Sequence, residues 1–155
     1  MGGQLKGYCE ETGQLSILVK ASKDPLGANL DRIQIVKGWM DQGEHREQVY
    51  DVALSNGREL REDGQVLKVG NTVDIQSAAY ANTIGAAELG TVWTDWDFDP
   101  EQQAFYYARV LEIPTPRWTT YDAAAFEIPP PDNVPTTVQQ RVYSSPVWYL
   151  SLIHI

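Results

Sequence analysis

The sequence is poor in the residues from which disulfides and metal centres are built. Its 155 residues include one cysteine, Cys9, and two histidines, His45 and His154. A single thiol cannot form an internal disulfide. Hydrolytic metal centres usually recruit several imidazoles, alone or with carboxylates. The histidine count therefore argues against a histidine-built metal site in this chain.

Long apolar runs and positive charges are also scarce. No apolar stretch approaches the roughly 20 residues that a membrane-spanning helix needs, and the first residues lack the charged-then-apolar layout of a secretion signal. The chain has 12 Lys and Arg against 21 Asp and Glu, a formal charge of -9. This charge repels phosphate backbones and anionic lipids. We therefore expect neither nucleic acid nor a membrane as a partner.

Motifs of common catalytic sites are absent from the sequence. It contains no nucleophile elbow, phosphate-binding loop or dinucleotide fingerprint. The alternating carboxylates from Asp95 to Glu101 resemble the start of a calcium loop. However, Pro100 stands where that loop needs glycine, and Tyr106 stands where it needs a bidentate glutamate. We predict a turn instead, with Phe98 packed inward, and no catalytic, cofactor-binding or metal-binding residue.

What the chain does contain is alternating apolar sequence, which is typical of β-strands. Alternating apolar residues predict strands over residues 15–22 and 48–54. Residues 32–39 are predicted as a strand from their β-branched side chains, and residues 72–75 and 88–93 are further strand candidates. The turn residues Asp41-Gln42-Gly43 predict that the strands over 32–39 and 48–54 form a hairpin. Residues 103–113 are apolar on both faces, which predicts a strand in the middle of a sheet.

The C-terminal third changes in character, because seven of the nine prolines follow Ile113. We expect regular sheet largely to stop there. One short helix is predicted over 120–126, with Thr119 or Thr120 as N-cap and Asp122 in its first turn.

Together these patterns predict an all-β fold. The predicted architecture is an immunoglobulin-like β-sandwich with a long Pro-rich irregular C-terminal segment and one short helix. Residues 1–113 would form the sandwich, and residues 114–149 a Pro-rich docking segment of the same domain.

Residues 150–155 are predicted to be a non-native tail. Their codons can be written as a sequence that looks like the transposase adapter joined to DNA fragments in shotgun sequencing. On this interpretation the chain is a fragment from an environmental assembly, and Met1 is an internal methionine of a longer protein. The alternative is an ordinary apolar terminal strand, since Leu-Ser-Leu-Ile alternates.

The aromatic residues support two functional hypotheses. Trp39 and Trp93 are expected to fill the core. In the Pro-rich segment, Arg117, Trp118 and Tyr121 combine a cation with aromatic rings, which is typical of a loop that docks on a partner. Exposed Trp and Tyr can instead stack on sugar rings, so carbohydrate or ligand binding is the alternative.

Six segments spread over the chain carry a family resemblance. They are residues 23–39, 70–74 (GNTVD), 82–89 (NTIGAAEL), 93–100 (WTDWDFDP), 103–122 and 144–149 (SSPVWY). Together they closely resemble the C-terminal region of a bacterial family catalogued as domain of unknown function 3604, over residues 1–149.

The resemblance implies exported bacterial parent proteins. Their N-terminal part looks like a metal-dependent hydrolase of the polymerase-and-histidinol-phosphatase type, built on a distorted β/α barrel. The divalent metal and the catalytic residues would belong to that barrel, whose His- and Asp-rich motifs have no matching positions here. The resemblance therefore implies a non-catalytic accessory domain, whose partner is the barrel and whose 114–126 loop contributes to the rim of the barrel's active site.

Overall fold

The computed structural model describes residues 2–6, 13–60 and 66–150. Cys9 and tail residues 151–155 lie outside these ranges. The strands are β1 Gly3–Lys6, β2 Leu15–Ser22, β3 Leu30–Asp41, β4 Glu44–Leu54, β5 Glu88–Asp95, β6 Ala104–Glu112, β7 Thr115–Pro116, β8 Thr137–Val138, β9 Arg141–Tyr143 and β10 Val147–Leu150, with one helix, α1 Trp118–Ala125. In these ranges the protein is mostly β with one short helix, as the sequence predicts.

The large sheet has the strand order β1-β10-β6-β3-β4, and β9 also pairs with β6. β6 is bonded on both edges, which confirms its predicted central position. β3 and β4 form the predicted antiparallel hairpin, with Asp41 opposite Glu44. The two turn residues, Gln42 and Gly43, both have positive φ, the conformation that a tight hairpin turn requires.

A second, two-stranded sheet of β2 and β5 packs over one face of the large sheet. Leu15, Ile17 and Val19 alternate with polar or exposed residues along β2 and point into the core. Trp39 and Trp93 pack against the same core, as predicted. Each large apolar side chain buried there stabilises the fold by about 1.5–3 kcal/mol.

The strand predicted over residues 72–75 is wrong. This stretch forms one isolated bridge between Asp74 and Ala79. The side chains of Asn71 and Asp74 accept hydrogen bonds from the backbone N–H groups of Val73 and Gln76. Such local bonds compete with a β-ladder, and they favour turns here.

The prediction that regular sheet stops after Ile113 is also wrong. β7 pairs with β8, β9 pairs with β6, and β10 lies between β6 and β1. Most prolines fall between these short strands, so the ladders survive. Leu150, the first residue of the predicted tail, belongs to β10. The immunoglobulin-like arrangement and the origin of the tail stay predictions.

Helix α1 is real but begins earlier than predicted. Its N-cap is Arg117, which makes no side-chain cap bond, and Asp122 lies beyond the first turn. The predicted capping threonine, Thr120, is fully buried and donates its hydroxyl to the Thr136 carbonyl, 2.6 Å away. A tertiary hydrogen bond has therefore replaced the expected cap.

Asp31, at the start of β3, joins distant parts of the chain. Its side chain is buried and accepts hydrogen bonds from Arg58, from Arg32 and from Gln139, the last at 3.0 Å. Arg58 also donates to the carbonyl oxygens of Ser55 and Leu67. One carboxylate thus ties both the long 55–87 connection and the C-terminal segment to the large sheet.

We expect Asp31→Ala to lower the free energy of unfolding by about 3–5 kcal/mol, because it leaves the guanidinium of Arg58 buried without its counter-charge. Urea denaturation measures the loss. Glu88→Ala is the control, because its pair with Lys20 is exposed to solvent and should change the free energy of unfolding little. Equal losses for the two variants would contradict this role of Asp31.

Candidate interaction surfaces

The acidic run from Asp95 to Glu101 forms the predicted turn. The Asp95 side chain accepts a hydrogen bond from the Asp97 N–H at 3.1 Å, and Asp99 accepts one from the Glu101 N–H at 2.8 Å. Phe98 packs against the core, as expected. Within the described ranges no three His, Cys, Asp or Glu side chains lie together as a metal site would require.

A buried ion pair lies beside this turn. Lys37 Nζ is 2.6 Å from an Asp95 carboxylate oxygen, which also accepts a hydrogen bond from the Tyr106 hydroxyl at 2.7 Å. Lys37 also donates to the Asp97 carbonyl at 2.9 Å. Sequence reasoning missed this pair, although a lysine within the apolar run RIQIVKGW was a usable signal. The pair joins β3 and β6 of the large sheet to β5 of the small one.

The pair also affects its tyrosine neighbours. Burial raises the pKa of the Tyr106 phenol far above its ordinary value, and the hydrogen bond to Asp95 and its negative charge raise it further. Burial raises the pKa of Tyr50 as well, with smaller contributions from the charges of Asp95 and Asp97. Both phenols are therefore held in their neutral form.

The helix segment after β7 carries the predicted docking residues. Trp118 and Tyr121 are 67% and 45% exposed, and Phe126 and Ile128 are exposed beside them. Arg117 is half-buried, and its Nε has no hydrogen-bond partner among the described residues. The structure thus brings Trp118 and Tyr121 to the surface.

The backbone of this segment is nevertheless tied to the rest of the domain. Thr115 pairs with Val138, and the Arg117 N–H donates to the Thr136 carbonyl at 2.9 Å. Gln139, directly after β8, donates to the Glu112 carbonyl at 3.0 Å. The exposed aromatic rings therefore stand on a firmly held segment.

A second group of aromatic rings lies on the outer face of the large sheet, opposite the small sheet. We call it the aromatic strip. Its ring-centroid distances are 5.2 Å between Trp148 and Phe105, 6.3 Å between Phe105 and Tyr107, and 6.1 Å between Tyr107 and Tyr143. Sequence patterns predicted no site at these four residues.

A chain of polar side chains lies beside the aromatic strip. Arg109 donates a hydrogen bond to Gln34, and Gln34 donates one to Asp51.

Replacing Lys37 and Asp95 tests how much their buried charges contribute to the free energy of unfolding. Lys37→Met should lower the free energy of unfolding by about 3–5 kcal/mol, because it leaves Asp95 buried without a counter-charge. The triple variant Lys37→Met/Asp95→Leu/Tyr106→Phe, which removes all three polar groups, should recover most of that loss. Urea denaturation measures both. A triple variant no more stable than Lys37→Met would show that the charges themselves are needed.

The raised pKa of Tyr106 predicts a loss of stability in alkali. In the unfolded chain this phenol ionises near its ordinary value, about 10, whereas in the folded protein it keeps its proton. The contribution of the protonated Tyr106 phenol to the free energy of unfolding is therefore complete below about pH 10. It declines as the pH rises above that value, because the unfolded chain then loses the proton that the folded protein keeps. Urea unfolding between about pH 8 and 11 should show a shallower decline in Tyr106→Phe. The exposed-site variant Tyr143→Phe should behave as wild type, and identical slopes for Tyr106→Phe and wild type would refute the prediction.

Comparison with known proteins gives one match. A family model described as protein of unknown function (DUF3604) matches residues 1–151. No curated protein and no solved structure matches the chain. None of the helices described is long and apolar enough to cross a membrane.

Proposed function

Because the chain belongs to the DUF3604 family of proteins of unknown function, we propose that it is a non-catalytic accessory domain that docks on another part of a larger parent protein. Its partner in this proposal is the N-terminal barrel of the same polypeptide, which resembles metal-dependent phosphoesterases of the polymerase-and-histidinol-phosphatase type. The divalent metal and the chemistry belong to the barrel. We also propose that the two packed sheets are a variant of the immunoglobulin-like sandwich.

One observation carries the docking proposal: aromatic side chains stand exposed on a backbone that the fold holds in place. Trp118 and Tyr121 are three residues apart in α1, so they lie on the same side of the helix. Tryptophan, tyrosine and arginine dominate the energetics of protein interfaces, and Arg117 precedes this pair. Since the segment is already ordered by β7, β8 and Thr120, docking would cost little conformational entropy.

Carbohydrate binding is the second candidate function. The aromatic strip favours it, because flat rings in a row offer stacking surfaces and the adjoining Arg109 and Asp51 are polar. The two candidates use different surfaces, so they can be separated by mutation.

Hydroxyl-radical footprinting with mass spectrometry tests the docking surface. In the isolated chain, Trp118 and Tyr121 should be oxidised rapidly because they are exposed. In the full-length parent, both should be protected severalfold. Trp96, which is 78% exposed on the turn after β5, is the matched control and should be oxidised equally in both proteins. Equal oxidation of Trp118 in the two proteins would disprove docking through α1.

The same proposal can be examined with variants. Trp118→Ala/Tyr121→Ala should lower the melting temperature of the parent by several degrees, since two interface anchors are worth about 2 kcal/mol or more. The isolated chain should change by only about 0.5 kcal/mol, because both side chains are exposed there. Glycan-array binding abolished by Trp148→Ala, in the aromatic strip, would favour the second candidate instead. Hydrolysis of p-nitrophenyl phosphate by the isolated chain with Mn²⁺ or Zn²⁺ would contradict a non-catalytic role.

A further inference from the structure

We propose that a cleft at one end of the aromatic strip binds the alkylammonium group of a small amine. The cleft encloses about 400 Å³ on the outer face of the large sheet, between β3, β4, β6 and β10. The side chains that carry the proposal are Met40, Glu47, Phe105 and Trp148, and Gly38 lies beneath the Phe105 ring. This inference concerns a different surface from α1 and does not depend on the docking function.

Strand register builds the cleft. Trp148 lies opposite Phe105, Phe105 opposite Gly38, and Gly38 opposite Glu47, so the four residues form one row across the sheet. The ring of Phe105 lies over Gly38 so closely that any Cβ there would collide with it. The rings of Phe105 and Trp148 are inclined at 49° with their centroids 5.2 Å apart. Together they form an aromatic wall of the cleft, which Glu47 also lines.

The charges around the cleft favour a cationic guest. Glu47 is exposed and forms no ion pair with any residue in the described ranges. Arg46 also lines the cleft, but it lies between two carboxylates, 3.1 Å from Glu44 and 3.6 Å from Asp41. This group of four side chains is therefore net negative, within a chain of formal charge -9. An anion would be repelled, whereas a cation would be attracted.

The aromatic wall specifies which kind of cation would bind. Faces of Trp and Phe attract a positive charge through the ring quadrupole, and they favour cations that carry their own alkyl groups. Met40, 46% exposed at the cleft, adds a polarisable apolar contact. A hydrated metal ion would interact only weakly with aromatic walls. An alkylammonium ion could contact the rings and the Met40 thioether through its alkyl groups and be attracted by the charge of Glu47. The volume lies within the usual range for sites that hold small molecules, so we assign a free amine rather than a protein side chain.

An NMR titration of the whole chain with tetramethylammonium chloride tests the proposal, with NaCl at equal ionic strength as the reference. The indole N–H signal of Trp148 should shift saturably as tetramethylammonium is added, while that of Trp96 should stay in place. Glu47→Gln should weaken the apparent Kd about threefold to fivefold, and so should Trp148→Leu, in line with partly exposed cation–aromatic and ion-pair interactions. Glu59→Gln, another exposed acid, should leave the Kd unchanged.

Any one of four results would overturn the proposal. The first is no saturable shift beyond that produced by NaCl. The second is equal binding of 3,3-dimethyl-1-butanol, an uncharged alcohol with three methyl groups on one carbon. The third is an unchanged Kd in Glu47→Gln. The fourth is saturable binding of cellohexaose at the same signals in both wild type and Glu47→Gln, which would assign the cleft to glycans. Because the isolated chain is used, none of these outcomes bears on docking through α1.

Discussion

The ion pair between Lys37 and Asp95 is the constraint on which the two-layer arrangement depends. Neither charge can enter an apolar core alone, since the cost of removing an ion from water is several kcal/mol. Together with Tyr106, they satisfy each other where β5 crosses the large sheet. Because Asp95 also accepts the Asp97 N–H, the same contact sets the turn that directs Phe98 into the core. A different register would leave each charge buried without its partner, so the pair favours the observed register over the alternatives.

Asp31 provides the corresponding constraint at the other end of β3. It gathers Arg58 and Gln139, which come from segments far apart in sequence, around one buried carboxylate. The polar groups that fix this protein's shape are consequently inside. Aromatic rings, by contrast, reach the surface at α1, along the aromatic strip and at Trp96. Buried polar groups thus hold the fold, and exposed aromatic rings are left free for contacts with other molecules.

Local sequence predicted the elements whose side chains alternate clearly. β2, β4 and β5 follow from the alternation of apolar and polar residues, and the β3–β4 hairpin follows from its Gln-Gly turn. The central β6 follows from a run that is apolar on both faces. The strand at 72–75 and the threonine cap failed for a common reason. In both places a side chain forms a hydrogen bond that apolar alternation and capping preference do not specify. Asp74 accepts one within its own turn, and Thr120 donates one to the distant Thr136.

The sequence alone determined that the chain is β-rich and strongly negative, where its main strands lie, and that the segment around Trp118 is aromatic. These properties depend only on composition and on neighbouring residues. Only the tertiary structure decided that β9 and β10 complete the large sheet, that Lys37 meets Asp95, and that Trp148, Phe105, Gly38 and Glu47 form one row. Those contacts join residues up to more than a hundred positions apart. Strand register across the sheet brings them together, and no local pattern specifies it.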